Sequence, residues 1–222
     1  MKKFGVLGIG LLAFSTACSG GGFGGDSPTY SGKIVDWPAA KTGSVIVGIP
    51  VPSNPPVTGQ PATVDVNGNF SSLMFPSGKN LALSETTSPC TQAAWNPTTV
   101  KGAVGTIGVL NSANANAGQV VEGTKNFNSS GSTAVVGDKQ VLRFYVDVNA
   151  TLKGTCTSGN PSSTTIFDLN LTAGWNVVVL EVTKVSGTTV TEGKATSGGL
   201  PINSKLFFSA SGAALSIGNL FR

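Results

Sequence analysis

The chain of 222 residues contains no histidine. That removes the usual Ser-His-Asp and Cys-His nucleophile systems and the commonest zinc and copper ligand. Charge is scarce as well. Asp, Glu, Lys and Arg make up 11% of the residues, against roughly 25% in an average soluble protein. The ten carboxylates are Asp26, Asp36, Asp65, Glu85, Glu122, Asp138, Asp147, Asp168, Glu181 and Glu192, and no two lie within four positions of each other. An EF-hand needs several acids within about twelve residues, so none can be written. A glycosidase pair requires two carboxylates that converge in space, and no local motif marks one. No Ser-x-x-Lys occurs in a strand–helix context. The glycines at 20–25 lack the strand-to-helix setting of a phosphate loop. The bases from Lys33 to Arg222 are scattered rather than clustered, and nucleic-acid binding needs a basic stripe. Composition therefore points away from catalysis, cofactors, metals and nucleic acid.

What is present favours strands. Hydrophobic residues at 40% suffice for a core, Gly is abundant at 30, and β-branched residues alternate with Gly, Pro and Asn punctuation. Low charge also argues against ordinary disorder. The chain opens with Lys2 and Lys3, an apolar run from Phe4 to Phe14, and then Ser15-Thr16-Ala17-Cys18. A positive start, a short apolar run and small residues make a secretory signal peptide. The run is too short to span a bilayer, which takes about 20 residues.

This opening resembles a bacterial lipoprotein signal. The resemblance implies cleavage before Cys18, lipid on its thiol and new amino group, and membrane lipid as a partner. Residues 1–17 would then be lost, leaving 205 residues with 12 bases and 10 acids. In such lipoproteins an Asp after the cysteine favours inner-membrane retention; Ser19 instead permits sorting to an outer membrane where the cell has one. With Cys18 acylated, Cys90 and Cys156 remain as a pair. An oxidising compartment favours a disulfide between them, which would close a loop of about 65 residues and stabilise by roughly 4 kcal/mol. Two separate buried thiols are the alternative.

Residues 18–28 are Gly-rich and read as an acylated tether reaching roughly 15–20 Å. A first module is expected over 29–86. Val45, Val47 and Ile49 alternate in a strand from Gly43 to Ile49, four prolines make 51–61 a loop or edge, and Asn67-Gly68 signals a hairpin. Val64 to Phe70 is similar to the turn of transthyretin-like or carboxypeptidase-regulatory-like β-sandwich modules, which implies a structural or adhesive spacer. Residues 87–99 read as a linker or loop, and 100–222 as a second antiparallel sandwich or meander.

Within 100–222, Asn111 to Gly118 fits a loop or a helical turn. A long strand is expected from Leu142 to Leu152, with Arg143, Tyr145, Asp147, Asn149 and Thr151 on a partly wet face. Phe167, Leu169 and Leu171 share one face, Thr172-Ala173-Gly174 makes a turn, and Asn176 to Val185 reads as a strand covered on both sides. Ala213 to Phe221 fits a closing strand or a short helix. Leu171 to Asn176, Leu-x-x-Gly-Trp-Asn, is similar to a segment of uncharacterised envelope lipoproteins and implies no chemistry.

The remaining candidates for contact are few. Asp147 and Asn149 share a strand face and offer oxygens to Ca²⁺, although an exposed polar face explains them as well. Of the aromatic residues Trp37, Trp95, Tyr145 and Trp175, Trp175 suits a plug at one end of a core. Trp95, in a loop beside Pro97, is the expected exposed contact for a partner. The expectation is an all-β, non-enzymatic lipoprotein anchored in the cell envelope, with an envelope protein or glycan as partner. The alternative is a carrier for a glycan or apolar ligand.

Overall fold

The computed structural model describes residues 27–38, 41–49, 57–81, 83–86, 90–113, 116–126, 133–158 and 162–210. Cys18, the tether up to residue 26 and the expected closing segment at 213–221 lie outside them. The described chain is all-β. Its strands are β1 (Thr29–Lys33), β2 (Gly43–Ile49), β3 (Val57–Thr58), β4 (Ala62–Val64), β5 (Asn69–Met74), β6 (Ser84–Glu85), β7 (Ala93–Asn96) and β8 (Lys101–Leu110). After these come β9 (Asn116–Gly123), β10 (Lys139–Val146), β11 (Ala150–Ser158), β12 (Ser163–Leu171), β13 (Gly174–Ser186), β14 (Thr189–Ser197) and β15 (Lys205–Ser209). All belong to one sheet, ordered β1-β5-β4-β2-β8-β9-β10-β13-β14-β12-β11-β7, with β15 on β9, β3 on β2 and β6 on β8.

The Asn67-Gly68 signal is a hairpin. Asp65 starts it: its Oδ1 accepts from the backbone N–H of Asn67 at 2.8 Å and of Asn69 at 2.9 Å. Gly68 turns the chain at φ +81, and a Cβ there would meet the Ile34 carbonyl at 2.5 Å. A bulge follows where Ser71 and Ser72 oppose Ser31. Ser72 adopts φ 58 and donates its N–H to Ser31 Oγ at 3.1 Å. A bulge bends its strand, here β5; just past β1, Ile34 bridges Leu206 of β15 in parallel.

Successive side chains on a strand point to opposite faces, and β10 uses both. Tyr145 enters a core with Ile34, Val45, Val47, Val64, Phe70, Leu73, Phe75 and Trp175. Phe144 and Val146 enter another with Trp95, Leu152, Phe167, Leu169 and Val178. The two cores lie on opposite sides of a wall made by β10 and β13. The Arg143–Tyr145 face, expected to be partly wet, is buried beneath β1, β5 and their neighbours. The expected strand 142–152 is also two strands: it breaks at 147–149, where Asp147 and Asn149 turn their side-chain oxygens to backbone donors of neighbouring segments. The strand expected at 176–185 is β13, buried on both faces from Gly174 to Val179 but partly exposed beyond Val182, where Lys184 reaches solvent.

The segment expected as a linker at 87–99 carries β7, which pairs with β11. Strands from 29–86 and from 100–222 share one sheet, because β2 runs antiparallel to β8 from Ser44↔Leu110 to Gly48↔Thr106. They share a core too: Ile107, Val109, Val120, Tyr145, Trp175 and Leu206 pack with residues 34–81.

Two splayed hairpins shape the wall. β9 and β10 pair only at Gln140↔Gly123 and Val141↔Glu122. β8 follows β10 from Gly102 to Gly105 and then follows β9 from Ile107 to Leu110, so it bends inside the fork. Gly105 lies at the bend with no room for a side chain; a Cβ would meet the Trp175 ring at 2.8 Å. Likewise β14 lies between β12, to which it is parallel, and β13, to which it is antiparallel.

Cys90 and Cys156 form a disulfide with Cα atoms 5.7 Å apart. It ties the chain just before β7 to β11 at the rim of the second core. Reduction should lower unfolding stability by about 4 kcal/mol on the loop-entropy account, read as an earlier urea midpoint with reductant than without. Gly105→Ala should cost about 1–3 kcal/mol through the clash with Trp175. Gly48→Ala on β2, where an added Cβ meets nothing within 4 Å, should be neutral or slightly stabilising in the same urea titration.

Candidate functional site

The most concentrated chemistry in the described residues is a buried cluster of Tyr30 on β1, Glu122 on β9 and Arg143 on β10. The register creates it. Glu122 stands opposite Val141 and opposite Leu206, facing the first core, and Arg143 lies two residues beyond Val141 on the same face. Arg143 Nη2 meets Glu122 Oε2 at 2.6 Å, with the two side chains 4% and 6% exposed. The Tyr30 hydroxyl donates to Glu122 Oε1 at 3.1 Å. The guanidinium carbon lies 5.1 Å from the Tyr30 ring centroid, within cation–π range.

Burial pushes the Glu122 carboxyl up, while Arg143 and hydrogen bonds from Tyr30 and Ser204 pull it back. Burial, and then the neighbouring Glu122 charge, raise the Tyr30 phenol well above its ordinary value. Both carboxylate oxygens are engaged and the group is enclosed by the core. Such a pair acts as a strut between β1, β9 and β10 rather than as a proton donor to substrate.

The other carboxylates hold local structure. Asp36 accepts from the Phe208 N–H at 2.5 Å and from Asn126 Nδ2 at 2.8 Å, fixing the chain after β1 to β15. Asp138 Oδ2 accepts from the Val135 N–H at 2.8 Å. Hydrogen bonds from Asn69 hold the Asp65 carboxyl below the usual range, and Lys153 does the same for Asp168. Lys153–Asp168 at 2.8 Å and Lys139–Glu181 at 3.1 Å bridge neighbouring strands in solvent, where such pairs contribute little.

The contact residues expected from sequence are dispersed. Asp147 Oδ1 accepts from the Lys101 N–H and Asn149 Oδ1 from the Ala173 N–H, each at 2.8 Å, so each residue fixes a backbone donor of another segment. Among the described residues no three His, Cys, Asp or Glu side chains gather as a metal site.

Trp95 corrects an expectation. It is 4% exposed, lies opposite Leu152 in the β7–β11 pair, and stacks on Phe144 with ring centroids 6.1 Å apart. The pattern Ala93-in, Ala94-out, Trp95-in, Asn96-out is a short edge strand stopped by Pro97, and an edge tolerates that proline. Trp175 is the expected plug of the first core, 4.9 Å from Phe75 and 5.5 Å from Tyr145, with Nε1–H donating to the Pro76 carbonyl at 3.0 Å. Trp37 is half-buried against Phe208.

Sequence reasoning passed over Glu122 and Arg143. Their signal was a charge inside an apolar run, Val-Val-Glu and Val-Leu-Arg-Phe-Tyr-Val. Glu122→Gln leaves Arg143 buried without its counter-charge and should lower stability by about 3–5 kcal/mol. A double replacement by Leu at both positions should recover most of that loss, because it removes the desolvated charges together. Thermal and urea unfolding of the three proteins measures this; equal losses for single and double variants would remove the strut assignment. Compared with family models, with curated proteins and with solved structures, the chain finds no match.

Proposed function

We propose that the chain is a lipid-anchored protein of the bacterial cell envelope whose β-sheet portion serves a structural or interaction role without catalysis. The observation that carries this is the opening run: Lys2-Lys3, the apolar stretch to Phe14, and Ala17 before Cys18. Lipid on Cys18 would bind the membrane, and residues 19–28 would hold β1 roughly 15–20 Å from it.

The use made of the polar groups supports the non-catalytic part. Glu122, Arg143, Tyr30, Asp36, Asp65 and Asp138 each spend their hydrogen bonds on other parts of the same fold. The disulfide suits an oxidising compartment. A carrier of glycans or apolar ligands has less support, since Trp95 and Trp175, the large rings it would use, fill the two cores.

Envelope fractions from cells fed a traceable fatty acid provide the test. The wild-type chain should start at Cys18, carry acyl groups there and partition into detergent; Cys18→Ser should lose the label and appear in the aqueous phase. A wild-type chain that keeps Met1 and carries no acyl group would refute the anchor.

A further inference from the structure

Four asparagines are followed, two positions on, by Ser or Thr with no intervening proline: Asn69, Asn128, Asn149 and Asn170. This is the acceptor pattern for N-linked sugar in exported proteins. Bacterial transferases read a longer form with an acid two residues before the asparagine. Two sites satisfy it, Asp147-Val148-Asn149-Ala150-Thr151 and Asp168-Leu169-Asn170-Leu171-Thr172.

The fold separates these two. Asn170 is exposed, like Asn149, but it lies inside β12, paired with Thr151 of β11. Its backbone N–H donates to Ser197 Oγ at 2.7 Å, and its carbonyl accepts from the same hydroxyl at 2.8 Å. Asn149 lies in the bend at 147–149, outside any strand, and is exposed beside the exposed Val148. The Ala173 N–H donates to Asn149 Oδ1 at 2.8 Å. That bond fixes the orientation of the amide and leaves Nδ2 uncommitted among the described residues. Oδ1 survives glycosylation as an acceptor, so the bend keeps its hydrogen bond with sugar attached. Asn69 offers no such freedom; its Nδ2 donates to both Asp65 oxygens.

We infer that Asn149 is the acceptor of an N-linked glycan. The donor class is an oligosaccharide on a polyprenyl diphosphate. Asn149 Nδ2 attacks the anomeric carbon of the first sugar, an N–C bond forms, the C–O bond to diphosphate breaks, and a proton and polyprenyl diphosphate depart. The inference rests on the export reading above, because such transfer occurs outside the cytoplasm.

The test is mass spectrometry of the full-length protein purified from envelopes of the cells that make it. Trypsin isolates Asn149 on peptide 144–153 and Asn170 on 154–184. Peptide 144–153 should carry sugar masses. Asn149→Asp, which keeps the oxygen for the Ala173 N–H, should abolish them, and Asp147→Asn, which keeps the oxygen for the Lys101 N–H, should reduce them strongly. A chain cleaved before Cys18 with peptide 144–153 wholly bare, or with sugar on 154–184 alone, would overturn this inference and leave the anchor standing. A chain that keeps Met1 would overturn both.

Discussion

A strand with two buried faces has nowhere to put a charge. Most of β10 and β13 from Gly174 to Val179 are in that position, with side chains buried on both sides of the sheet. The requirement explains the valine-rich run Val177-Val178-Val179 and the single guanidinium that must bring its own counter-ion. Arg143 is tolerable because Glu122 and Tyr30 come with it. The same wall fixes the glycines of β8: Gly102 and Gly105 lie where the bent strand presses on Phe144 and on the Trp175 ring.

Much of the architecture was legible because period-2 alternation is a strong local signal. Phe167, Leu169 and Leu171, the valines of β2 and the Asn67-Gly68 turn needed nothing beyond their neighbours. The disulfide was expected from the number of cysteines, with Cys18 set apart and an oxidising compartment assumed. What stayed hidden depends on segments far apart in the chain. Arg143 and Tyr145 look like a solvent face until β1 and β5 cover them. The break at 147–149 keeps perfect alternation, and only Lys101 and Ala173, from other strands, show why the chain bends there. Trp95 beside a proline reads as a loop because β11, its partner, lies more than fifty residues on. The Glu122–Arg143 pair needed the β9–β10 register, which no spacing in the sequence discloses.

The scarcity of charge takes on a meaning once the contacts are known. A protein with 11% charged residues spends many of them on holding strands, caps and bends. Among the described residues, the outer faces carry cross-strand ion pairs such as Lys153–Asp168 and scattered exposed apolar side chains such as Val136 and Ile202. So few charges give little non-specific attraction to nucleic acid or to charged lipid.

The parallel bridge between Ile34 and Leu206 joins residues near the two ends of the described chain. Completion of the first core therefore has no local shortcut. A chain that emerges N-terminus first, from a ribosome or through a membrane pore, presents β1 at the outset and must wait for β15, the last of the described strands. Until then Ile34 and Val35, which meet Leu206 just past the end of β1, lack their partner, and unpaired backbone of that kind recruits other chains. Contacts of such long sequence separation also slow folding. Flanking Gly and Ser residues, and a β1 of only five residues with Gly32 inside it, make that waiting stretch a poor template for aggregation.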